Sequence, residues 1–449
     1  MKLTFYGGVG GEVSGANYLV ESGGSKILVD CGLHQGSRYC EKLNFEPFPY
    51  KASEIGAVFV THAHIDHTGR LPKLVKDGFR GIVYSTPPTR DFAELLLRDS
   101  EDILRKESEE LKKRFIYSIE DIDRLMEQWK GIEYHEDIDA APFKIRFYDA
   151  GHILGSAFIE VEVEGKKVVF SGDLGNYPAP IIEETEKVEG ADYCLVESTY
   201  GNRVHEAPEE RKNILEDLIE DTVKSGGVLL IPAFAMERTQ ELLYELNELA
   251  ENGRIPKASI FVESPLAIKL TKVYRGYSRY FNPLAKELLE GGDELFNFTG
   301  LKKTLTVEES KAINDVPPPK VIIAGAGMSN GGRILHHERR YISDPKNTIL
   351  FIGYQAKGSL GRLILDGEKT VRIFGEDIEV KCKIKAIGGY SAHADQPRLL
   401  EWLNPMRESL KKVFAVQGEE DQAAPLAQKI RDELAVEAVV PKIGEEAML

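Results

Sequence analysis

Several residue types are scarce in this chain, and each shortage excludes a class of protein. The 449 residues include only four cysteines, at positions 31, 40, 194 and 382, and no CxxC pair, which argues against a disulfide framework. No apolar run approaches the roughly 20 residues that a membrane-spanning helix needs. The N-terminal residues 1–8 lack the apolar core of a signal peptide. We therefore expect a cytoplasmic protein that has no membrane partner.

Basic residues are also in deficit. Lysine and arginine number 57 against 73 aspartates and glutamates, so the formal net charge is −16. A generic nucleic-acid coat protein needs a basic excess, and this balance argues against one. It does not exclude a nuclease, because metal ions and a local basic cleft can bind phosphate while the outer surface stays acidic.

The pattern of predicted elements changes along the chain. The first 200 residues read as short strands in hairpin-like pairs, which indicates mixed or antiparallel sheets. From about residue 205, helices and strands alternate, which is typical of a parallel sheet. The predicted elements there are helix 208–224, strand 228–231, helix 237–251, strand 259–262, helix 264–276, strand 320–324, helix 332–341 and strand 348–352. Strands return after residue 370.

Three histidines fall within six residues, directly after an apolar strand-like segment. His62, His64 and His67, with Asp66 between them, form an HxHxDH motif. Imidazoles and a carboxylate are ligands that suit zinc or iron. A chance cluster on a polar loop is a poor explanation of this spacing. Such a turn can direct His62 and His64 at one ion and Asp66 and His67 at a neighbour.

Two further positions lie beside glycines at the ends of predicted strands. His152 follows Ala-Gly, and Asp173 follows Ser-Gly. Taken alone, each is more typical of a turn residue. Together with the HxHxDH motif they would supply a third histidine and a bridging carboxylate, as in hydrolases that use two metals about 3.5–4 Å apart.

These motifs, in this order, resemble those of the metallo-β-lactamase fold, in which Asp30 would match an early aspartate that braces the metal loop. The later segments are similar to the β-CASP nucleases. Glu197 resembles their acidic motif A, residues 231–241 resemble the opening of their inserted cassette, and His393, within residues 390–395, resembles motif C. The resemblance covers essentially the whole chain. It is closest to bacterial-type RNA-degrading enzymes, which are related to the polyadenylation cleavage nuclease.

The resemblance implies an α/β fold, a metallo-β-lactamase αββα sandwich with an inserted β-CASP α/β cassette. The implied domains are 1–200 (first part of the metallo-β-lactamase domain), 201–361 (β-CASP domain) and 362–449 (C-terminal return to the metallo-β-lactamase domain).

The resemblance also implies a full set of metal ligands. The implied ligands are His62, His64 and His152 for the first metal, Asp66, His67 and His393 for the second, and Asp173 for the bridge. Glu197 would orient His393 or a nearby group and, with Asp66, would belong to the catalytic residues. The histidine-rich set favours two Zn²⁺ per chain, with Mn²⁺ or iron as alternatives.

The chain departs from its relatives at two points. Arg362 and Leu363 stand where cleavage-factor relatives carry the motif B histidine, so the general acid is open. His336 and His337 are substitute catalytic candidates, and helix-capping or core roles fit them equally well. Residues 416–419 read Val-Gln-Gly-Glu where relatives usually have His-Gly-Glu, and we expect little effect on the metals because the ligand set is full without it.

The implied activity is hydrolysis of phosphodiester bonds in single-stranded RNA by a hydroxide shared between two metals. We expect an endonuclease, with a 5′-exonuclease activity as a further option. The alternatives are a small-molecule hydrolase of the same fold, a DNA-processing β-CASP nuclease, a diiron oxidoreductase and a non-enzymatic scaffold. The long cassette argues against the first, the intact His64 against the third and the seven ligands against the fourth. RNA is preferred to DNA on the resemblance alone.

Three features outside the metal motifs bear on substrate and assembly. Arg238, Arg333 and Arg362 are candidates for a local basic cleft, although each is also typical of a surface ion pair. The glycine-rich segment 325–332 precedes a predicted helix, so it forms either a phosphate cradle or a tight turn. A homodimer through the C-terminal strand and helix stays open.

Overall fold

A computed structural model describes residues 1–35, 42–205, 208–353, 355–356, 358–387 and 390–449. It divides into two compact units. The first comprises Met1–Ala179, Glu183–Val204 and Ala392–Leu449, and the second Pro180–Ile182 and His205–Ser391. Cys40, and Tyr354 and Lys357 of the segment compared with motif B, lie outside the described residues. The domain limits given by the resemblance stay a prediction.

The elements alternate between short strands and helices of very different length. The strands are β1 (Lys2–Gly7), β2 (Asn17–Ser22), β3 (Ser25–Val29), β4 (Ala57–Phe59), β5 (Ile82–Ser85), β6 (Trp129–Gly131), β7 (Asp137–Ala140), β8 (Phe143–Asp149), β9 (Ala157–Val163), β10 (Lys166–Phe170), β11 (Tyr193–Glu197), β12 (Val228–Pro232), β13 (Ser259–Glu263), β14 (Leu301–Lys303), β15 (Lys320–Ala324), β16 (Thr348–Ile352), β17 (Thr370–Ile373), β18 (Glu376–Glu379), β19 (Lys383–Ile387), β20 (Lys412–Val416), β21 (Ala438–Val439) and β22 (Glu446–Met448). The α-helices are α1 (Lys42–Phe45), α2 (Ile65–Thr68), α3 (Leu71–Lys76), α4 (Pro87–Leu111), α5 (Ile119–Glu127), α6 (Pro208–Ser225), α7 (Arg238–Glu251), α8 (Pro265–Gly276), α9 (Pro283–Glu290), α10 (Val307–Ala312), α11 (Ile334–Tyr341), α12 (Leu360–Leu365), α13 (Gln396–Leu403) and α14 (Glu420–Lys429).

The first unit is built on two seven-stranded sheets, in the orders β22-β1-β2-β3-β4-β5-β6 and β21-β20-β11-β10-β9-β8-β7. Alternate residues of β8 are buried, as expected for a strand with one face in the core. Phe5 and Phe59 of one sheet share a core cluster with Phe147 and Phe170 of the other. Helices α13 and α14 bury apolar residues against the outer face of the second sheet. This arrangement confirms the predicted αββα sandwich.

The second unit contains a six-stranded sheet in the order β14-β13-β15-β12-β16-β19, and all its recorded strand pairings are parallel. Strands β12, β15 and β16 are buried along their whole length. Continuous apolar runs of this kind are typical of parallel strands covered on both faces. The parallel sheet expected from the alternation of helices and strands is therefore present.

Strand direction in the first unit determines where the polar loops meet. Strands β8 and β10 both pair antiparallel with β9, so they run the same way, and β10, β11 and β20 are parallel neighbours. Four strands of one sheet therefore end at the same edge. In the other sheet, β3 and β4 are also parallel. Among the described residues, no helix combines the length and the apolarity needed to cross a bilayer.

Candidate metal centre

The residues singled out by the sequence follow the ends of these strands. The HxHxDH segment follows β4, His152 follows β8, Asp173 follows β10, Glu197 ends β11, and Gln417 follows β20. Because the last four strands run in the same direction, residues that are far apart in the sequence meet at one edge of the sheet.

The loop that carries the HxHxDH motif is held closely against the end of β3. The backbone N–H of Cys31 donates to the carbonyl oxygen of His67 at 2.8 Å. A Cβ atom at Gly32 would lie 1.5 Å from the backbone oxygen of Asp66, so only glycine permits this approach. The loop then turns into α2, for which His64 is the N-terminal capping position.

Asp30 orients the loop through its carboxylate. It accepts hydrogen bonds from the backbone N–H and from the hydroxyl of Thr61, both at 2.8 Å, and its Oδ2 lies 2.7 Å from Nδ1 of His67. A proton on Nδ1 of His67 would leave Nε2 as the ligand atom, which is the usual arrangement behind a metal-binding histidine.

A first group of donors converges on one oxygen of Asp173. Nδ1 of His64 lies 3.0 Å from Nε2 of His62 and 3.3 Å from Nε2 of His152. Oδ2 of Asp173 lies 3.3 Å from Nε2 of His62 and 3.6 Å from Nε2 of His152. Burial, followed by the neighbouring histidines, lowers the pKa of His64 and of His152 well below its usual value. Both rings are therefore neutral, which is the form that binds metals.

A second group faces the other oxygen of Asp173. Nε2 of His67 lies 3.4 Å from Oδ1 of Asp173 and 3.7 Å from Oδ2 of Asp66. Burial opposes a charge on both His67 and Asp173, yet each charge is favoured by the other. Without a metal, the carboxylates of Asp173, Asp30 and Asp66 hold the pKa of His67 well above its usual value, and histidines hold the pKa of Asp173 well below its own.

A third group joins His393 to Glu197 and Asp173. Nδ1 of His393 lies 3.2 Å from Oε2 of Glu197 and 3.8 Å from Oδ2 of Asp173. The backbone N–H of Leu174 donates to Oε1 of Glu197 at 2.6 Å and so fixes that carboxylate. The side chain of His393 is 25% exposed, in contrast to the buried Glu197.

Two donor groups bear on the implied second site. In the described part of the chain, the donor groups that could hold a metal place Asp66 and His67 with Asp173, and His393 with Asp173 and Glu197. His393 as a ligand of the second metal stays a prediction, and Glu197 lies beside His393, where the resemblance implies an orienting carboxylate.

The donor chemistry fits divalent metals. Ligand bonds of about 2.0–2.1 Å in a tetrahedral zinc site place neighbouring donors roughly 3.3 Å apart, close to the separations in the first group. Asp173 directs Oδ2 at the first group and Oδ1 at the second. One carboxylate shared by two donor groups is the arrangement expected of a two-metal centre.

Gln417 lies in this centre although it was not among the predicted site residues. Its side chain is buried, and its Nε2 lies 2.7 Å from Nε2 of His67 and 3.2 Å from Oδ1 of Asp173. The signal was available, since Gln417 stands where relatives usually carry histidine. The expectation of little effect on the metals stays a prediction.

The substitute acids lie in the second unit. His337 is buried, and its Nε2 contacts the buried carboxylate of Glu263. The ring of His336 lies 4.7 Å from that of Phe374. Neither histidine belongs to a donor group of the described residues. Their catalytic role stays a prediction, and the contacts of His337 match the alternative core role.

The arginines proposed for a basic cleft each have an acidic neighbour. Arg238 pairs with Glu241 at 2.9 Å, and Arg362 pairs with Asp366 at 2.9 Å. Arg333 lies 3.8 Å from Glu263. In the segment 325–332, the N–H groups of Ala326 and Ser329 donate within the segment itself. These contacts favour the tight turn over the phosphate cradle.

Comparison with known families adds independent support for the fold. A model described as the metallo-β-lactamase superfamily matches residues 10–192, and one described as the Beta-Casp domain matches 239–364. A third, described as a Zn-dependent metallo-hydrolase RNA specificity domain, matches 377–441.

Curated relatives match over nearly the whole chain. A protein named as a ribonuclease from Thermus thermophilus is 38% identical over 93% of this chain and 94% of its own length. An RNase J-like protein of Methanocaldococcus jannaschii is 31% identical over 98% of both chains. The transcription termination factor FttA of Methanosarcina mazei is 32% identical over 97% of this chain and 70% of its own length.

A solved structure of a protein of unknown function from Enterococcus faecalis V583 also resembles this chain. The TM-score is 0.59, with 12% identity, and the match covers 100% of this chain and 99% of that one. This likeness concerns the fold alone.

Proposed function

The chain belongs to the β-CASP family of the metallo-β-lactamase superfamily, and from this membership we propose that it is a metal-dependent ribonuclease. Its reaction would be hydrolysis of phosphodiester bonds in single-stranded RNA. The observation that carries the proposal is the shared carboxylate of Asp173, with one oxygen toward each of two donor groups. The names of the ribonuclease relatives and of the RNA specificity domain support RNA as the substrate.

The donor groups support an assignment of ligands to two metals. His62, His64 and His152 would hold one ion, Asp66 and His67 the other, and Asp173 both. Divalent metals in such a centre lower the pKa of bound water and stabilise the charge that develops on phosphoryl oxygens. Asp30 would keep the loop and the ring of His67 in place, through the contacts with Thr61 and with Nδ1.

His393 and Glu197 are suited to proton transfer. Glu197 lies at Nδ1 of His393 and fixes the orientation of the ring, as a carboxylate does in other acid–base pairs. We propose that His393 gives a proton from Nε2 to the leaving oxygen of the RNA. This assignment would supply the acid that is absent at Arg362 and Leu363.

Several finer features of the enzyme belong to the same proposal. The histidine-rich donor set supports zinc, with manganese or iron as alternatives. We propose endonuclease activity, with 5′-exonuclease activity alongside it, in the cytoplasm. A homodimer is retained as well, since β21 lies at the edge of its sheet and offers a surface for pairing.

The direct test is cleavage of an internally labelled single-stranded RNA beside a DNA of the same sequence. We expect the zinc-loaded enzyme to cut the RNA into internal fragments, and a chelator to stop the reaction. Asp66→Ala should lose about one metal equivalent, because Asp66 contributes to only one donor group, and should cleave RNA at least 100-fold more slowly. Metal content is measured on the same preparations.

The matched control is Asp139→Ala, which removes an exposed carboxylate of the same unit outside the donor groups. It should leave metal content and cleavage unchanged. Preferential cutting of the DNA would instead identify a DNA-processing nuclease. A protein that carries two metals and cuts neither strand would point to a small-molecule hydrolase.

A further inference from the structure

A cavity in the first unit lies apart from the metal ligands. Its volume is about 720 Å³, within the roughly 300–1,000 Å³ range of ligand pockets. Residues from the loop before β4, from helix α3 and from the segment after α4 line it. None of the proposed metal ligands is among them.

The lining of this cavity is basic, although the chain as a whole is acidic. Two acidic residues line it, Glu46 and Asp77, against six basic ones. The basic residues are Lys42, Lys51, Lys73, Lys76, Lys113 and Arg114. A local excess of four positive charges stands out in a chain of net charge −16. Such a concentration of cations attracts an anionic ligand.

Aromatic rings form the apolar part of the wall. Phe48 and Tyr50 are stacked, with ring centroids 5.3 Å apart and an interplanar angle of 24°. Phe45 and Phe115 also line the cavity, and Phe115 is 49% exposed. Rings of this kind provide flat surfaces on which a base can stack.

Cations and rings are in direct contact. Nζ of Lys73 lies 4.1 Å from the centroid of Phe48, and Nζ of Lys113 lies 5.0 Å from the centroid of Phe45. Lys73 is buried and pairs with Asp77 at 2.6 Å. Nζ of Lys76 donates to the carbonyl oxygens of Phe115 and Ile116 at 3.0 Å. The wall is therefore a built structure, with Lys113 and Arg114 exposed beside it.

Helix α3 and a chain of hydrogen bonds connect the wall of the cavity with the metal centre in the same unit. Helix α3, which carries Lys73 and Lys76, begins four residues after His67 and is about 9 Å long. The hydroxyl of Tyr50 donates to Oδ1 of Asn17 at 3.0 Å, and Nδ2 of Asn17 donates to the carbonyl oxygen of Asp30 at 3.1 Å. The wall of the cavity therefore contacts residues that support the metal loop.

We propose that this cavity is a second binding site for single-stranded RNA, in which a base stacks on the aromatic wall and phosphates bind the basic side chains. The proposal rests on the proposed ribonuclease function. The combination of flat rings and cations favours a nucleic acid over an acidic peptide, which would use the cations but not the rings. The site would hold substrate RNA away from the bond that is cut.

The test measures binding of a fluorescent single-stranded RNA of about 12 nucleotides, by anisotropy, to the full chain with chelator present. The double variant Lys113→Glu/Arg114→Glu should weaken binding at least tenfold. The slope of log affinity against log salt should fall by about 1.4, since each phosphate contact on a single strand contributes roughly 0.7.

The matched control is Lys130→Glu/Lys144→Glu, which makes the same charge change at exposed positions of the same unit outside the cavity. This variant should bind RNA within twofold of the unchanged protein. Phe115→Ala tests the rings separately. Loss of a stacked base should weaken binding at least fivefold, with the salt slope unchanged.

Failure of this proposal can be told apart from failure of the ribonuclease function. The ribonuclease function is tested on its own by chelator-sensitive cleavage of the internally labelled RNA by the unchanged protein. Equal loss of RNA affinity in the control pair, or no loss in the cavity variants, would overturn the second site whether or not RNA is cut. Binding of an oligoglutamate as tight as that of RNA, lost in the same variants, would also overturn it and indicate a protein-docking site.

Discussion

At the scale of single residues, the environment of Asp173 explains how two donor groups can share one centre. Its carboxylate is buried, and each oxygen lies near a different histidine set. Burial of an isolated carboxylate is costly, so such a residue needs positive partners. Histidines supply them here, and metal ions would do so more strongly. The charge of Asp173 is therefore best explained by the cations that the site is built to hold.

The role of His393 can be decided by comparing metal content with rate. If His393 transfers a proton, His393→Ala should retain both metals and cleave about 10²–10⁴-fold more slowly, the usual contribution of general acid catalysis. Mass spectrometry gives the metals per chain, and single-turnover kinetics give the rate.

Loss of one metal equivalent in His393→Ala would instead mean that His393 is a ligand of the second metal, as the resemblance implies. His336→Ala, made in parallel, addresses the sequence-based alternative in the second unit. A slow His336→Ala beside a normal His393→Ala would identify His336 as the acid.

Gln417 makes a second prediction at this scale. Gln417→His places an imidazole beside Oδ1 of Asp173, where Nε2 of the glutamine lies now. Imidazole is the better ligand for zinc, and the positive φ of 52° at this position is one that histidine adopts more readily than most residues. We expect the affinity for the second metal to rise about tenfold or more in a competition titration with a chelator.

The control is Gln428→His, an exposed position on α14, which should leave both metal affinities unchanged. An unchanged second affinity in Gln417→His would mean that this side chain does not face the metal.

How much of the site could be predicted depends on sequence distance. The HxHxDH motif is local, so its spacing alone predicts a metal site. Contact between His393 and Glu197 joins residues 196 positions apart and depends on the bridge that pairs His393 with Gly175, after β10. No local sequence pattern contains that pairing, and only the resemblance implied it. Gln417 was left out of the predicted site because zinc is usually bound by cysteine, histidine or a carboxylate, although its place in the segment that resembles His-Gly-Glu was a signal.

At the scale of elements, the end of β3 controls the metal loop. A methyl group at Gly32 would overlap the backbone oxygen of Asp66, and backbone cannot move aside as a flexible side chain can. Gly32→Ala should therefore displace Asp66 and His67 together. We expect loss of about one metal equivalent and at least a tenfold fall in cleavage, while the first donor group keeps its metal.

Gly56→Ala is the matched control, because its Cβ would meet only Lys26 O at 3.5 Å, an ordinary contact. Normal metal content in Gly32→Ala would show that the loop can shift without loss of the second site.

Several elements were not predicted from the sequence, among them α9, β14 and α10, which lie between residues 277 and 319. Helix α10 has only six residues and none of them is buried, so it lacks the apolar periodicity on which helix prediction depends. Its N-terminus nevertheless carries a capping box formed by Thr306 and Glu309. That signal was present in the sequence and marks the start of the helix.

At the scale of the whole molecule, charge distribution matters more than net charge. A chain of −16 repels RNA on average, so binding must depend on places where cations are concentrated. The metal centre is one such place when it is loaded, and the basic cavity beside α3 is another. This explains how an acidic protein can act on a polyanion.

Stability should depend on pH through a buried carboxyl of the second unit. Glu338 is fully buried, its Oε1 accepts from Ser329, and its Oε2 has no hydrogen-bond partner among the described residues. Burial raises the pKa of Glu338 to about 8 from a usual 4.5. Between these values the folded protein keeps a proton that the unfolded chain releases. Stability therefore falls as pH rises from about 4.5 to 8.

Glu338→Gln should remove this pH dependence, because the amide stays neutral in both states. Relative to the unchanged protein, the free energy of unfolding of the variant should rise by up to roughly 3 kcal/mol between pH 5.5 and 8. This is measured by urea unfolding, on the transition of the second unit. Glu308→Gln, at an exposed position of α10, is the control and should leave the slope unchanged.

Parallel stability curves for Glu338→Gln and the unchanged protein would show that Glu338 ionises in the fold, which would require a cation near its Oε2. In the first unit, burial raises the pKa of Asp149 to about 8. The stability of that unit should therefore still fall with rising pH in Glu338→Gln. Glu338→Gln should therefore remove the pH dependence from the second unit only.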